Sequence, residues 1–220
     1  MYKVIVFDLD DTLYFEKDYI KSGYKVVAKH LSQKYRLDEN LIYKEMLILF
    51  RKNPKYVFNR ILEKHGISYL DEDIKNMVII YRNHKPTIEL SKVVKKTLSS
   101  LLKKGYYLGL ITDGFKESQK QKIEALKLNT YFQKIIITDD LGENREYWKP
   151  HEKSYELIRD YFGVEYKEMV YVGDNVLKDF IAPIKLGILP IQIMNRKNLY
   201  KVKNKKIIKI KGINKILKKI

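Results

Sequence analysis

The sequence predicts an α/β protein, with a parallel sheet core, helices on both faces, and an inserted all-helical subdomain. Three observations carry this. Short apolar runs recur along most of the 220 residues. Helical patterns lie between those runs, which places successive strands parallel. One long stretch near the start of the chain has helical patterns and no convincing strand.

The strand candidates are "VIVF" (4–7), "YYLGLI" (106–111), "KIIIT" (134–138), "MVYVG" (169–173) and "ILPIQI" (188–193). They are too short for buried helices and rich in β-branched and aromatic residues. Helical spacing appears in "FKESQKQKIEALKL" (115–128), "HEKSYELIRDYFG" (151–163) and "VLKDFIAPIKLG" (176–187), with Gly163 and Gly187 placed as C-terminal stops. Pro183 counts against a regular third helix, because proline removes an interior N–H. "KIIKIKGINKILKKI" (206–220) fits a final short strand and then a helix carrying Ile213, Ile216, Leu217 and Ile220 on one face. A basic amphipathic membrane contact is the sharper alternative for the same pattern.

Residues 15–82 read as four helices: "YIKSGYKVVAKHLSQKY", "DENLIYKEMLILFRK", "PKYVFNRILEKHG" and "DEDIKNMVIIYR". The last three open on Asp or Pro, which are helix start signals. "NHKPT" (83–87) brings the chain back, and "ELSKVVKKTLSSLLKKG" (89–105) supplies the crossover helix into the second strand. The expected division is therefore 1–14 with 86–220 as the core, and 15–85 as the helical insert.

Composition excludes some chemistry. Without cysteine there is no disulfide, thiolate metal site or thiol nucleophile. No signal-peptide pattern or membrane-length apolar run is present, so a soluble, cytoplasmic protein is expected. The pattern does not separate monomer from homodimer. The net charge of +17 invites a nucleic-acid partner, yet Arg196 and ten lysines place +11 of it in residues 196–220. Only seven residues are arginine, the side chain best suited to bidentate phosphate and base contacts. Nucleic-acid binding through this segment is kept as an alternative outside enzyme chemistry, and a small phosphorylated molecule is the expected partner.

That expectation comes from polar residues at the strand ends. Asp8 and Asp10 follow the first strand. Thr112, Asp113 and Gly114 follow the second, Asp174 follows the fourth with Asp179 five residues on, and Lys149 lies in the loop beyond the third. In an open parallel sheet the carboxyl ends of the strands converge on one crevice. Asp8, Asp10 and Asp174 would repel one another unless a divalent cation relieved them, and a hard oxygen donor set fits Mg2+. The ion would also neutralise a phosphoryl group, which makes an anionic nucleophile feasible. Asp8 can then attack phosphorus to form an aspartyl-phosphate, while Asp10 protonates the leaving oxygen and later deprotonates water. The Thr112 hydroxyl and the backbone N–H groups of Asp113 and Gly114 offer hydrogen bonds to the phosphoryl oxygens, and Lys149 offers a point charge to them and to Asp8. Asp113 is expected to contribute its backbone more than its carboxylate, and Asp11 to act as a turn or helix cap. Tyr14, Glu16 and Tyr19, where the insert begins, are the candidates for touching substrate.

"FDLDDTLY", "LITDG", "WKP" and "VYVGDNVLKD", in that order and with a helical insert after the first, resemble the four motifs of the haloacid dehalogenase superfamily, phosphatase branch. The resemblance implies a Rossmann-like core, a mobile helical cap of the C1 type and required Mg2+. It places the nucleophile on Asp8, the general acid/base on Asp10, the phosphate-binding hydroxyl on Thr112, the lysine on Lys149 and the metal acid on Asp174. Asp179 becomes a second acid near the metal, against the plainer reading of a helix-surface carboxylate. Asp10 argues against dehalogenase activity, whose members lack that aspartate, whereas a phosphomutase stays open. Trp148 stands where the third motif often has arginine, which puts in doubt any contact that arginine would make. The function expected is Mg2+-dependent hydrolysis of a small phosphorylated metabolite, a sugar phosphate or nucleoside monophosphate.

Overall fold

The structure is a computed structural model that describes residues 1–194 and 206–220. The chain forms two compact units, Met1–Glu16 with Glu89–Ile220, and Lys17–Ile88.

The first unit is built on six parallel strands: β1 (Val4–Phe7), β2 (Tyr107–Thr112), β3 (Lys134–Ile137), β4 (Met169–Gly173), β5 (Leu189–Ile193) and β6 (Ile208–Ile210). Their order is β3-β2-β1-β4-β5-β6. All five pairings are parallel. β1 lies between β2 and β4, and each of its residues is 0% exposed, which explains its uninterrupted apolar sequence. The chain builds outward from β1 on one side and from β4 on the other, so a topological switch point falls between them. Register aligns Phe7 with both Leu110 and Val172. The Asp8 N–H then donates to the Val172 carbonyl at 2.8 Å, and the residues after β1, β2 and β4 emerge at one edge.

Helices of the first unit cover its sheet. The numbering in chain order runs α1 (Glu16–Tyr35), α2 (Glu39–Lys52), α3 (Val57–Lys64), α4 (Asp71–Asn83), α5 (Lys92–Lys103), α6 (Lys116–Ala125), α7 (Lys153–Phe162) and α8 (Ile181–Leu186). α5 starts at Ser91, whose hydroxyl accepts from the Val94 N–H, and it buries Val94, Thr97, Leu98 and Leu101 at i, i+3, i+4 and i+7. α7 stops at Gly163, whose φ of 61° is cheap only for glycine. Its Tyr155 and Ile158 are fully buried, with the Tyr155 ring edge-on to Tyr171 at 5.2 Å. Each such side chain contributes about 1.5–3 kcal/mol by leaving water.

Three segments of the first unit depart from the sequence expectation. Only Ile181–Leu186 of the 176–187 stretch is α-helical, because the Asp179 carboxylate accepts from the N–H groups of Asp174 and Asn175 and holds the preceding residues in a turn. Pro183 thereby falls in the first turn of α8, where its missing N–H has no partner to lose. α6 ends at Ala125, and Leu128–Thr130 form a separate 3-10 turn after Lys127, whose φ is 53°. The C-terminal helix is 3-10 over Ile213–Lys218, and its burial at Ile213 and Ile216 follows a period of three. Residues 196–205 of the basic segment lie outside the described residues.

The second unit consists of α1 beyond its first residue and of α2, α3 and α4. Its interior holds Val27, Leu31, Ile42, Met46, Ile61, Leu62 and Met77. Asp38 caps α2 by accepting from the Leu41 N–H at 2.6 Å. α3 begins at Val57 rather than Pro54, with the intervening turn pinned by Arg60 Nη1 donating to the Asn53 carbonyl at 2.8 Å. Among the described residues no helix is long and apolar enough to cross a membrane.

Candidate active site

A crevice of about 410 Å3 opens at the carboxyl edge of the sheet in the first unit, with Asp8, Asp10, Gly114, Asp174, Glu16 and Arg145 among its walls. Asp8 is the first residue after β1 and only 4% exposed. One of its oxygens accepts from Lys149 Nζ at 2.6 Å and the other from the Thr12 hydroxyl at 3.3 Å. Burial pushes the Asp8 carboxyl up to about 6, with Lys149 opposing and Asp179 adding to the rise. The hydrogen bonds from Lys149 and Thr12 favour the ionised form that an attacking carboxylate needs.

Lys149 is the electrostatic centre. Its three ammonium donors are matched one to one, to Asp8 at 2.6 Å, to Asp179 Oδ1 at 2.8 Å and to the Tyr171 hydroxyl at 3.0 Å. Burial alone would lower its pKa, but Asp179 and Asp8 outweigh that and hold it well above the ordinary range. It is therefore a fixed positive charge. Charge, rather than a spare donor, is what it offers to a phosphoryl group in the crevice.

Carboxylate oxygens of Asp8, Asp174 and Asp179 lie within 4.8 Å of one another. Burial, then the charges of Asp8 and Asp179, push the Asp174 carboxyl up to about 8. Three hard donors gathered at the cost of mutual repulsion fit a small divalent cation such as Mg2+. Asp179 belongs to this group, and the Asp10 carboxylate pairs with Lys122, whose Nζ lies 2.8 and 2.9 Å from its two oxygens. Asp179 is 0% exposed and caps the turn after β4, which removes the helix-surface reading.

Asp10 is held on all sides. The Tyr14 hydroxyl donates to its Oδ1 at 2.5 Å and Gln119 Nε2 to its Oδ2 at 3.3 Å. Burial would raise its pKa, but Lys122, Tyr14 and Gln119 together keep it below the ordinary carboxylate value. Thr112, 1% exposed, donates its hydroxyl to Gln119 Oε1 at 3.1 Å. Gly114 takes a φ of 136°, open in practice to glycine alone.

The Asp113 carboxylate has partners of its own. Its Oδ1 accepts from the Thr138 hydroxyl at 2.9 Å and from the Lys149 N–H at 3.1 Å, and its Oδ2 pairs with Lys178 at 3.0 Å. The carboxylate thus ties the loop bearing Lys149 to the end of β2. Lys149 and Lys178 keep it below the ordinary value despite burial. Asp11 caps as expected, accepting from the Glu16 N–H at 3.2 Å. Of the three substrate candidates, Glu16 lines the crevice. Tyr14 is buried against Asp10, and Tyr19 lies in the second unit, 2% exposed, with its hydroxyl donating to the Tyr81 carbonyl at 3.3 Å.

Sequence reasoning missed Gln119, Lys122, Tyr171 and Lys178. Gln119 and Lys122 carried a readable signal: with Ile123 and Leu126 they form one helical stripe, and two polar residues on a buried stripe call for partners. Near the missing third-motif arginine, the Arg145 guanidinium stacks over the rings of Trp148 at 4.8 Å and Phe115 at 5.4 Å.

Comparison with known proteins places this geometry. The family model described as haloacid dehalogenase-like hydrolase matches residues 5–193. The chain is 32% identical over 191 residues to a glyceraldehyde 3-phosphate phosphatase of Pyrococcus furiosus, covering 84% of this chain and 78% of that protein. It is 25% identical over 218 residues to the N-acylneuraminate-9-phosphatase of Homo sapiens, covering 92% and 86%. In fold it is similar to a phosphatase of the same superfamily from Thermococcus onnurineus, with a TM-score of 0.63, 23% identity and coverage of 98% and 96%. Strand order, the strand-end carboxylates and these likenesses agree: the chain belongs to the haloacid dehalogenase-like hydrolases, on their phosphatase branch.

Proposed function

We propose that this protein is a Mg2+-dependent phosphatase that hydrolyses a small sugar phosphate through an aspartyl-phosphate on Asp8. The observation that carries the reading is the joint position of Asp8, Asp174 and Asp179 within 4.8 Å beside the buried Lys149 ammonium. The sugar-phosphate class is supported by the names of several relatives, among them a second glyceraldehyde 3-phosphate phosphatase, from Methanocaldococcus jannaschii, 28% identical over 215 residues.

Asp8, Asp174 and Asp179 would hold Mg2+. When bound, the ion supplies positive charge that lowers the repulsion between the Asp8 carboxylate and the phosphoryl group. Lys149 keeps one Asp8 oxygen fixed, which orients the carboxylate for attack in line with the leaving oxygen. Asp8 Oδ forms the new P–O bond as the bond to the sugar oxygen breaks; Asp10, ionised in the free protein, takes a proton from solvent as the anionic substrate enters the crevice and delivers it to that oxygen. The N–H groups of Asp113 and Gly114 would donate to the phosphoryl oxygens where charge develops, as would the Thr112 hydroxyl on leaving Gln119. In the second half Asp10 accepts a proton from water, which attacks phosphorus, releases inorganic phosphate and restores Asp8.

Phosphate release from a panel of phosphorylated sugars and nucleoside monophosphates, with and without Mg2+, tests the proposal. Metal-dependent turnover highest with a sugar phosphate is expected. Phosphate release unaffected by removing the metal would contradict it, as would an isomerised sugar phosphate in place of free phosphate.

A further inference from the structure

The Asp10 carboxylate receives four hydrogen bonds, and three of them come from two residues of α6. Lys122 Nζ reaches Oδ1 at 2.9 Å and Oδ2 at 2.8 Å, while Gln119 Nε2 reaches Oδ2 at 3.3 Å. Gln119 and Lys122 are both 2% exposed. Contacts to both oxygens from two directions fix the plane of the carboxylate as well as its position. Gln119 has a second attachment, since its Oε1 accepts from the Thr112 hydroxyl at 3.1 Å.

This arrangement is dear in stability. A buried ion pair seldom exceeds an apolar pair of similar volume, so a fold-only requirement at position 122 would be met by Met or Leu continuing the Ile123 stripe. The backbone also makes room for it. A Cβ on Gly114 would lie 2.3 Å from Gln119 Nε2, and Gly114 holds a φ of 136°. The loop after β2 is thus shaped around the Gln119 amide.

We propose that Lys122 and Gln119 are positioning residues that aim Asp10 at the leaving-group oxygen and link its orientation to the phosphate-binding Thr112. The proposal rests on the reading of Asp10 as the acid/base. Lys122 is not among the crevice walls, and Gln119, which reaches them, is engaged with Asp10 and Thr112. Lys122 sets the direction of the carboxylate, and Gln119 couples that direction to the hydroxyl that would meet the phosphoryl group. Correct aim matters most when the departing oxygen is a strongly basic alkoxide, which cannot leave without a proton.

The test compares kcat/KM, which reports steps up to departure of the leaving group, for glyceraldehyde 3-phosphate and for p-nitrophenyl phosphate. Lys122→Met, Lys122→Arg, Gln119→Leu and Asp10→Asn are measured with the full-length protein and Mg2+. For Lys122→Met a loss of about 30–100-fold on the sugar phosphate and less than about 3-fold on the nitrophenyl ester is expected. Lys122→Arg should recover most of the difference, and Gln119→Leu should show the same selectivity to a smaller degree. Equal losses on the two esters, or none, in folded variants would overturn the proposal. If Lys122→Met does not fold, Lys122→Arg and Gln119→Leu decide by the same criterion. Selective loss in Asp10→Asn without it in the Lys122 and Gln119 variants refutes the positioning role alone, whereas no selectivity in Asp10→Asn refutes the acid/base reading beneath it.

Discussion

Lys149 donates to Asp8 at 2.6 Å although 141 positions separate them in the chain. Both side chains are nearly excluded from water, and the same ammonium also holds Asp179 at 2.8 Å. One cation therefore neutralises the carboxylate that would attack phosphorus and one that would hold a metal.

Asp8→Asn keeps the shape of the side chain and removes its nucleophilicity. Turnover should fall by at least about a thousandfold with circular dichroism unchanged. Retention of the parent rate would remove Asp8 from the chemistry.

Lys149→Met leaves Asp8 and Asp179 facing each other without their shared counter-charge. Breaking one side of a buried pair costs about 3–5 kcal/mol, so chemical denaturation should show a loss of that order beside a loss of activity. Lys149→Arg should also destabilise, since the larger fork does not fit three point acceptors placed around an ammonium. A variant as stable as the parent would show that Lys149 is dispensable to the fold.

Asp174 ionises near 8 in the folded protein, against 3.8 ordinarily, and Asp8 near 6. Between the unfolded and folded values the native state keeps protons that the unfolded chain has lost. The associated stability is complete below the unfolded value and declines as pH rises, down to its floor above the folded value. Mg2+ favours the ionised carboxylates and should offset the decline. The increase in Tm on adding Mg2+ should therefore be larger at about pH 8.5 than at about pH 6. An increase that shrinks with pH would refute the linkage.

Gly114→Ala combines an unfavourable φ of 136° with a Cβ 2.3 Å from the Gln119 amide. A stability loss of about 1–3 kcal/mol is expected, with a fall in activity greater on a sugar phosphate than on a nitrophenyl ester. Thermal melts and the two assays check both parts, and an unperturbed melt would show that the loop accommodates a side chain.

Much of the catalytic unit could be read directly. Buried parallel strands need apolar runs, so β1, β2, β3, β4 and β5 stood out within a residue or two of their ends. The acids at those ends were legible for the complementary reason, since charge directly after a buried run has to serve something. Hydrogen bonds that close in space blurred the picture elsewhere. The helix expected from Val176 gave way to a turn because the Asp179 carboxylate caps the Asp174 and Asn175 N–H groups. The last helix tightened to 3-10, with burial at Ile213 and Ile216.

Within the site, the sequence determined which residue types would gather, because strand ends in a parallel sheet share an edge and their spacing is local. Their partners were settled only in three dimensions. Asp10 follows the same strand as Asp8, yet its carboxylate belongs to Lys122 while that of Asp8 belongs to Lys149. Asp179 lies within 4.8 Å of Asp8 and Asp174, a proximity that spacing along the chain does not show. The physical reason is range: the period of a strand or helix fixes the face on which a side chain lies, whereas an ion pair is chosen by distance and desolvation among groups brought together by the whole fold.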